Sequence, residues 1–225
     1  MTSKSQLLND LQDILPIIAA NAEQAEAMRM VPHENIELLT KIKFLRAFQP
    51  KAWGGLEVSL PEFAEAVATL AGACASTAWS ASLLNTHSHQ LALFTKQAQE
   101  DVWGEDPEAT VSSSIAPFGK TTEVDGGVMF SGDMSWSSGC DHAQWAIMGF
   151  IRAGAKVDAK PHQHFALVPR SNYEIIDNWH AMAMKGSGTK VLKVRDVFVP
   201  EHRIESAKAL MTGQSSGYGM YPDSD

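Results

Sequence analysis

The chain has 225 residues, 44% hydrophobic and 20% charged, a globular balance that excludes a disordered polymer. At roughly 150 residues per domain, this length makes one large domain or two small ones, with a core that needs no disulfide or metal staple. Twenty-six acidic against 18 basic residues leave a formal charge of -8, which argues against a phosphate backbone and so against a nucleic-acid partner. No apolar run approaches the ~20 residues needed to cross a bilayer, so no membrane partner is expected. The polar first residues lack the pattern of a signal peptide. Cys74 and Cys140 form no C-x-x-C, and the expected location is the reducing cytoplasm.

Up to about Trp103 the apolar spacing is helical. Leu7, Leu8, Leu11, Ile14, Leu15, Ile18 and Ala22 recur at three and four residues and make one stripe. Pro16 should kink that helix or mark its true first turn. Pro32 opens a second helix that carries Ile36, Leu39, Ile42 and Leu45 inward. Residues 49–55, ending in Gly54-Gly55, read as a loop. Ser59-Leu60-Pro61-Glu62 is a capping box with proline just inside the helix. The alanine-rich helix that follows runs to about Cys74; others cover roughly 76–94 and the stretch to Trp103.

After Asp106-Pro107 the pattern becomes that of strands, at 110–115, 121–124, 128–137, 145–150, 165–168, 173–178 and 190–199. Short strands at about ten-residue spacing predict a small barrel or sandwich. Beyond Pro200 one short helix is expected, then a flexible Gly/Ser stretch. The fold class is therefore α+β: a helical domain over 1–106, a small β-barrel domain over 107–203, and 204–225 as a connection. Such a pair of units has edges and faces to cover, so a further helical C-terminal part is expected to be missing.

Several strings can carry chemistry. Residues two apart on a helix point about 200° from each other, so only one of His87 and His89 faces inward. That one is either a hydrogen-bonded core histidine or a functional one. Cys140, His142, His162 and His164 make zinc conceivable, but no C-x-x-C or H-E-x-x-H accompanies them, and no metal is expected. Residues 185–190, Lys-Gly-Ser-Gly-Thr-Lys, lack the order of a phosphate loop and read as a tight turn with hydroxyls and amides available to a ligand. Ser112-Ser113-Ser114 and Trp136-Ser137-Ser138-Gly139 sit at strand ends. There hydroxyls and N–H groups can bond a heteroaromatic ring edge and Trp136 can stack on it. Ordinary polar decoration of edge strands explains the same residues.

With Phe48-Gln49-Pro50, Trp53-Gly54-Gly55, Leu70 to Ala75, Thr86-His87-Ser88-His89-Gln90, Ser112 to Pro117, Trp136 to His142, Tyr173-Glu174-Ile175, Asp196 to Pro200 and Tyr221-Pro222-Asp223-Ser224, these strings resemble a known family. It is that of the flavin-dependent monooxygenases of acyl-CoA dehydrogenase fold, in particular the oxygenase components of two-component 4-hydroxyphenylacetate 3-hydroxylases. The resemblance implies a helical domain, a β-domain and a C-terminal four-helix bundle that assembles a homotetramer; the bundle is absent from this sequence. It implies reduced FMN, or FADH2, delivered by a separate flavin reductase. Molecular oxygen then adds at flavin C4a, and the resulting hydroperoxide hydroxylates a phenol ortho to its hydroxyl.

By the same resemblance His87 is the base toward the phenol or the stabiliser of its phenolate, Ser113 bonds the substrate, and Ser138 bonds flavin N5. Trp79 and Trp136 flank the ring, with Ser112, Ser114 and Ser137 as further cofactor contacts. A dry pocket and the N5 bond keep the oxygen adduct from collapsing to peroxide. Three other readings stay open: an acyl-CoA dehydrogenase with bound FAD, a related hydroxylase of another phenol, and a truncated non-catalytic remnant or assembly subunit.

Overall fold

The computed structural model describes residues 6–152 and 163–221. The expected apolar stripe forms α1 (Gln6–Ala20), with Leu7, Leu8, Leu11, Ile14 and Ile18 buried. Pro16 lies inside this helix without ending it. It sits on the exposed face together with Gln12, where water can take the carbonyl that the missing N–H leaves unpaired. The chain then breaks at Asn21, whose amide donates to the side chains of Glu34 and Asn35, and restarts as α2 (Ala22–Met28), a helix the periodicity did not predict.

Pro32 caps α3 (His33–Lys41), as its position predicts, but the helix stops before Leu45, which enters the core from a 3-10 turn. Ser59 Oγ accepts from the Glu62 amide at the start of α4 (Leu60–Ala73). The chain continues into α5 (Ala75–Ala92) and α6 (Lys96–Trp103).

Helix α5 is the spine of the molecule. Its buried residues include Ser80, Asn85, His87 and Ser88 as well as Ala81, Leu84 and Leu91, so it is enclosed on most sides. Burial of polar groups is tolerable only with partners. Asn85 finds them by donating to the Phe44 carbonyl at 2.7 Å and accepting from the Ala47 amide at 2.9 Å. One flank of α5 packs on Phe44, Phe63 and Leu70 in the helical core. Its far end joins a second core in which Leu91, Phe94 and Trp103 meet Val111, Ile147 and Leu167 from the strands.

The two strands expected at 110–115 and 121–124 are one bent strand, β1 (Val111–Val124). Its register shifts between Ser114 and Gly119, around Pro117, which has no N–H to give to a ladder. Before the bend β1 pairs in parallel with β3 (Trp145–Ile151); after it, β1 pairs antiparallel with β2 (Gly127–Ser137). The remaining strands are β4 (Gln163–Pro169), β5 (Glu174–Ile176), β6 (Lys190–Pro200) and β7 (Ile204–Ser206). Strand β7 falls where only a helix was expected, and α7 (Ala207–Met211) follows it.

The order β5-β6-β2-β1-β3-β4-β7 leaves the ladder open between β5 and β7. The barrel-like half is closed by side chains instead, with Phe130, Met134, Phe150, Met148, Leu192 and Val194 interleaved between its two flaps. Among the described residues no four-helix bundle follows α7, and no helix is long and apolar enough to cross a membrane.

Candidate active site

Where α5 crosses β1 and β2, a cavity of about 590 Å³ opens. Two fully buried apolar interiors flank it, so its walls are held rigidly from behind. His87 and His89 point to opposite sides of α5 as their spacing requires: His87 is buried on the cavity wall, and His89 is exposed against Phe48.

His87 Nδ1 lies 3.1 Å from the Val111 carbonyl and its Nε2 lies 2.7 Å from Ser113 Oγ. A carbonyl only accepts, so the ring proton is on Nδ1 and the bare Nε2 accepts the Ser113 hydroxyl. Burial pushes the His87 pKa down to about 4, against a smaller upward pull from the Val111 carbonyl. The imidazole is therefore neutral, in one tautomer, with its basic nitrogen on the cavity side. A serine–histidine pair is also the start of a nucleophilic site, but a base this weak and oriented by no carboxylate does not activate a serine hydroxyl.

The second wall is a chain of hydroxyls. Trp79 Nε1 donates to Ser138 Oγ at 3.1 Å, Ser138 meets Thr189 Oγ1 at 2.6 Å, and Thr189 meets Ser187 Oγ at 2.9 Å. Ser187 in turn donates to the Met184 carbonyl at 2.9 Å. That last acceptor sets every direction: Ser187 gives its only proton away, so Thr189 donates to Ser187 and Ser138 donates to Thr189. Ser138 is left with one oxygen lone pair unused, an acceptor beside the cavity.

Behind it, Lys190 Nζ holds both Asp141 oxygens at 2.7 and 2.8 Å, and the Gly139 amide donates to the Ser187 carbonyl. The strings 138–141 and 187–190, far apart in sequence, are thus laced together. Gly188, at φ +57, makes the turn; a Cβ there would come within 2.9 Å of Asp141 Oδ2.

Trp136 and Trp79 form the rim, 65% and 50% exposed. Trp136 stands at φ +65, in the left-handed region, where the β2–β6 register shifts between Met134 and Ser137. The bulge turns its indole outward, edge-on to Phe118 at 5.6 Å.

Of the residues singled out in the sequence, Trp79, His87, Ser113, Trp136 and Ser138 line this one cavity. Ser112, Ser114 and Ser137 were expected to contact a cofactor and are not among the residues that line this cavity. Alternation along β1 turns Ser112 toward the buried Tyr173 and lets Ser114 donate to the Ser135 carbonyl at 2.7 Å; Ser137 is fully buried beyond the bulge.

Sequence reasoning missed Ser135, Trp179, Met184, Ser187 and Thr189 as lining residues. The hydroxyl-rich turn at 185–190 was the available signal for the last two.

Among the described residues no group of three or more His, Cys, Asp or Glu could hold a metal ion. His142 Nε2 donates to the Val31 carbonyl, and Cys140 is a buried free thiol whose pKa burial pushes up to about 12. His162 lies outside the described residues.

A helical half followed by a mixed seven-strand sheet is an acyl-CoA dehydrogenase-like fold. Residues 15–106 match the family described as acyl-CoA dehydrogenase, N-terminal domain. The p-hydroxyphenylacetate 3-hydroxylase oxygenase component of Acinetobacter baumannii is 59% identical over 218 residues, covering 97% of this chain and 51% of that protein. The crystal structure of the HsaA monooxygenase from M. tuberculosis superposes with a TM-score of 0.91 at 40% identity, covering 96% of this chain and 59% of the other.

XiaF from Streptomyces sp., in complex with FADH2 and glycerol, superposes with a TM-score of 0.85 at 27% identity, covering 91% of this chain and 52% of the other. Over the residues it spans, the chain is similar to the oxygenase components of flavin-dependent monooxygenases. It spans about half the length of the curated relatives it matches.

Proposed function

We propose that this chain carries the flavin- and phenol-facing part of the oxygenase component of a two-component monooxygenase. The reaction hydroxylates a phenol such as 4-hydroxyphenylacetate ortho to its hydroxyl. It uses molecular oxygen and reduced FMN, or FADH2, supplied by a separate flavin reductase. A cytoplasmic homotetramer completes the proposal, with 1–106 as its helical domain, 107–203 as its β-domain and 204–225 as a connection.

The carrying observation is His87, a buried neutral imidazole whose unprotonated Nε2 sits beside Ser113 on the cavity wall. A phenol placed there donates its O–H to Nε2, in place of Ser113 or shared with it. With the imidazole near 4 and a phenol near 10, complete proton transfer in the ground state costs about 8 kcal/mol. His87 therefore acts as an acceptor that draws the proton only as positive charge builds on the ring under attack. Help of this kind is worth about 10²–10⁴ in rate.

The residues present fit a reduced flavin. Trp79 and Trp136 offer aromatic faces at the rim, and the unused lone pair of Ser138 suits an N–H donor such as N5–H. Bound there, the flavin supplies the activation of dioxygen. Around it, Leu83, Ile115, Met184 and Trp179 exclude water from the side that faces His87.

An acyl-CoA dehydrogenase reading gains nothing from the relatives, which are oxygenase components. The test is anaerobic addition of reduced FMN and 4-hydroxyphenylacetate, followed by oxygen and assay of the aromatic product. A dihydroxylated product is expected. Reoxidation wholly to hydrogen peroxide, with the phenol recovered intact, would overturn the proposal.

A further inference from the structure

We propose that Glu26, on α2, and Arg29, the residue that ends that helix, both outside the cavity, are positioning residues that help pin the segment 177–187 as one wall and so set how tightly the aromatic ligand is held. The affinity part of this inference rests on the reading of the cavity as a flavin and phenol site.

The segment joins β5 to β6 and brings Trp179, Met184 and Ser187 to the cavity, with Thr189 just beyond. It has little packing of its own. Met182 is 97% exposed, and Met184 stands at φ +56, in the left-handed region that a side chain adopts only under constraint. At Ser187 the segment is held by Ser80 Oγ of α5 and the Gly139 amide, both donating to its carbonyl at 3.1 Å; before Ser187 the constraint comes from α2 and the residue that ends it. Glu26 stands on the last turns of the helix and Arg29 ends it at φ +53, so its C-terminal end presents one anion and one cation.

The Glu26 carboxylate accepts from the Lys185 amide at 3.0 Å, the Gly186 amide at 3.1 Å and Ser76 Oγ at 2.5 Å. The guanidinium of Arg29 pairs with Asp177, donates to the Trp179 carbonyl at 3.1 Å and meets His180 Nδ1 at 3.0 Å.

Among the described residues, these two side chains supply every hydrogen bond that ties 177–186 to another element. The seat is specific to glycine: a Cβ on Gly186 would lie 2.9 Å from the backbone carbon and the Cβ of Ala25. Burial opposes the charge of Glu26, and its three donors outweigh that and hold its carboxyl below the usual range.

From Gly186 the wall runs on through Ser187 to Thr189 and Ser138, so the pin reaches the hydroxyl chain by covalent connection. Trp179 is steadied by its own N–H, which donates to the Met184 carbonyl at 3.1 Å. Released from α2, the two would drift together.

Glu26→Gln is nearly isosteric but turns an NH₂ toward one of three donors; Asp177→Asn takes the charge from the other pin on the exposed loop side, weakening the hold of Arg29 while leaving its bond to the Trp179 carbonyl. In both variants, amide hydrogen exchange over 177–189 should quicken ~10-fold or more, with α4 and α5 unchanged and the Tm close to the parent. Binding of 4-hydroxyphenylacetate should weaken ~5- to 10-fold, seen as a higher KM with kcat nearly constant.

Unchanged exchange in 177–189 overturns the pin. Faster exchange with unchanged affinity overturns its role at the site. If the unaltered protein binds neither reduced FMN nor the phenol, the site reading falls and the affinity claim with it, while exchange alone decides the pin. Should Glu26→Gln fail to fold, Asp177→Asn carries the test.

Discussion

His87 and Ser113 stand on a helix and a strand whose other faces are packed with Leu84, Leu91, Val111 and Ile147. Ser187 and Thr189, across the cavity, stand on a loop held by hydroxyls, amides and charges. The first wall gets its chemistry from dryness: removing water from His87 is what keeps it neutral and fixes its tautomer. The second gets its chemistry from connection, since the direction of each hydroxyl is inherited from the one beyond it until the Met184 carbonyl ends the chain. Dryness makes one group strong and hard to replace, whereas connection spreads a smaller effect over several residues. The two walls should therefore fail differently when a single side chain is changed.

The largest effect is expected at His87. His87→Ala removes the only basic nitrogen on the dry wall and leaves Ser113 without its acceptor. Product formation from the phenol should fall by about 10²–10⁴, with the flavin still reoxidised by oxygen and the difference appearing as hydrogen peroxide. Product and peroxide measured together decide it; an unchanged ratio would remove His87 from the proton's path.

Burial of the same ring makes stability depend on pH, with a definite sign. The unfolded chain protonates His87 below about 6.5, while the folded chain refuses that proton until about pH 4. The unfolded state thus binds more protons between those values, and stability falls as pH falls through that window, by about 3 kcal/mol from this group alone. His142 is also lowered by burial and adds to the slope in the same direction. Urea unfolding of the parent and of His87→Gln across pH 4 to 6.5 should give a shallower slope in the variant. Parallel curves would show that His87 is not buried neutral.

The dry wall was more legible in the sequence than the connected one. Helical periodicity found α1, and Ser59 to Glu62 marked the start of α4, because these signals are local. Spacing also placed His87 and His89 on opposite sides of α5, although only the resemblance singled out His87. Helix α2 escaped because Asn21 ends α1 by bonding Glu34 and Asn35, a contact that no window around Asn21 contains.

The same holds for β1, read as two strands at 110–115 and 121–124; the strand instead bends around Pro117 and changes partners. Parity decided the serines: Ser113 faces the cavity and Ser112 and Ser114 do not, and which face of β1 meets α5 is a tertiary fact. Ser187 and Thr189 were visible only as a turn, since their meaning depends on Ser138 lying 49 and 51 residues away in sequence.

The smallest effect, and the one that separates the two walls best, is expected from Thr189→Val. The substitution keeps shape and removes one hydroxyl from the middle of the chain, so Ser138 loses its acceptor and Ser187 its donor. A neutral hydrogen bond is worth about 1 kcal/mol, and Ser138 can recover part of it by turning its O–H into the cavity. Stability should therefore drop by about 1 kcal/mol or less. The turn converts Ser138 from an acceptor into a donor at the point where reduced flavin is proposed to present N5–H. Two donors would then face each other, and reduced FMN should bind about 5-fold more weakly, while oxidised FMN, whose N5 accepts, should bind as well or better. Thr189→Ser restores the hydroxyl and should restore the preference. A Thr189→Val protein that keeps the parent's ranking of the two redox states would mean that Ser138 does not take its direction from Thr189, and the second wall would then be held by packing like the first.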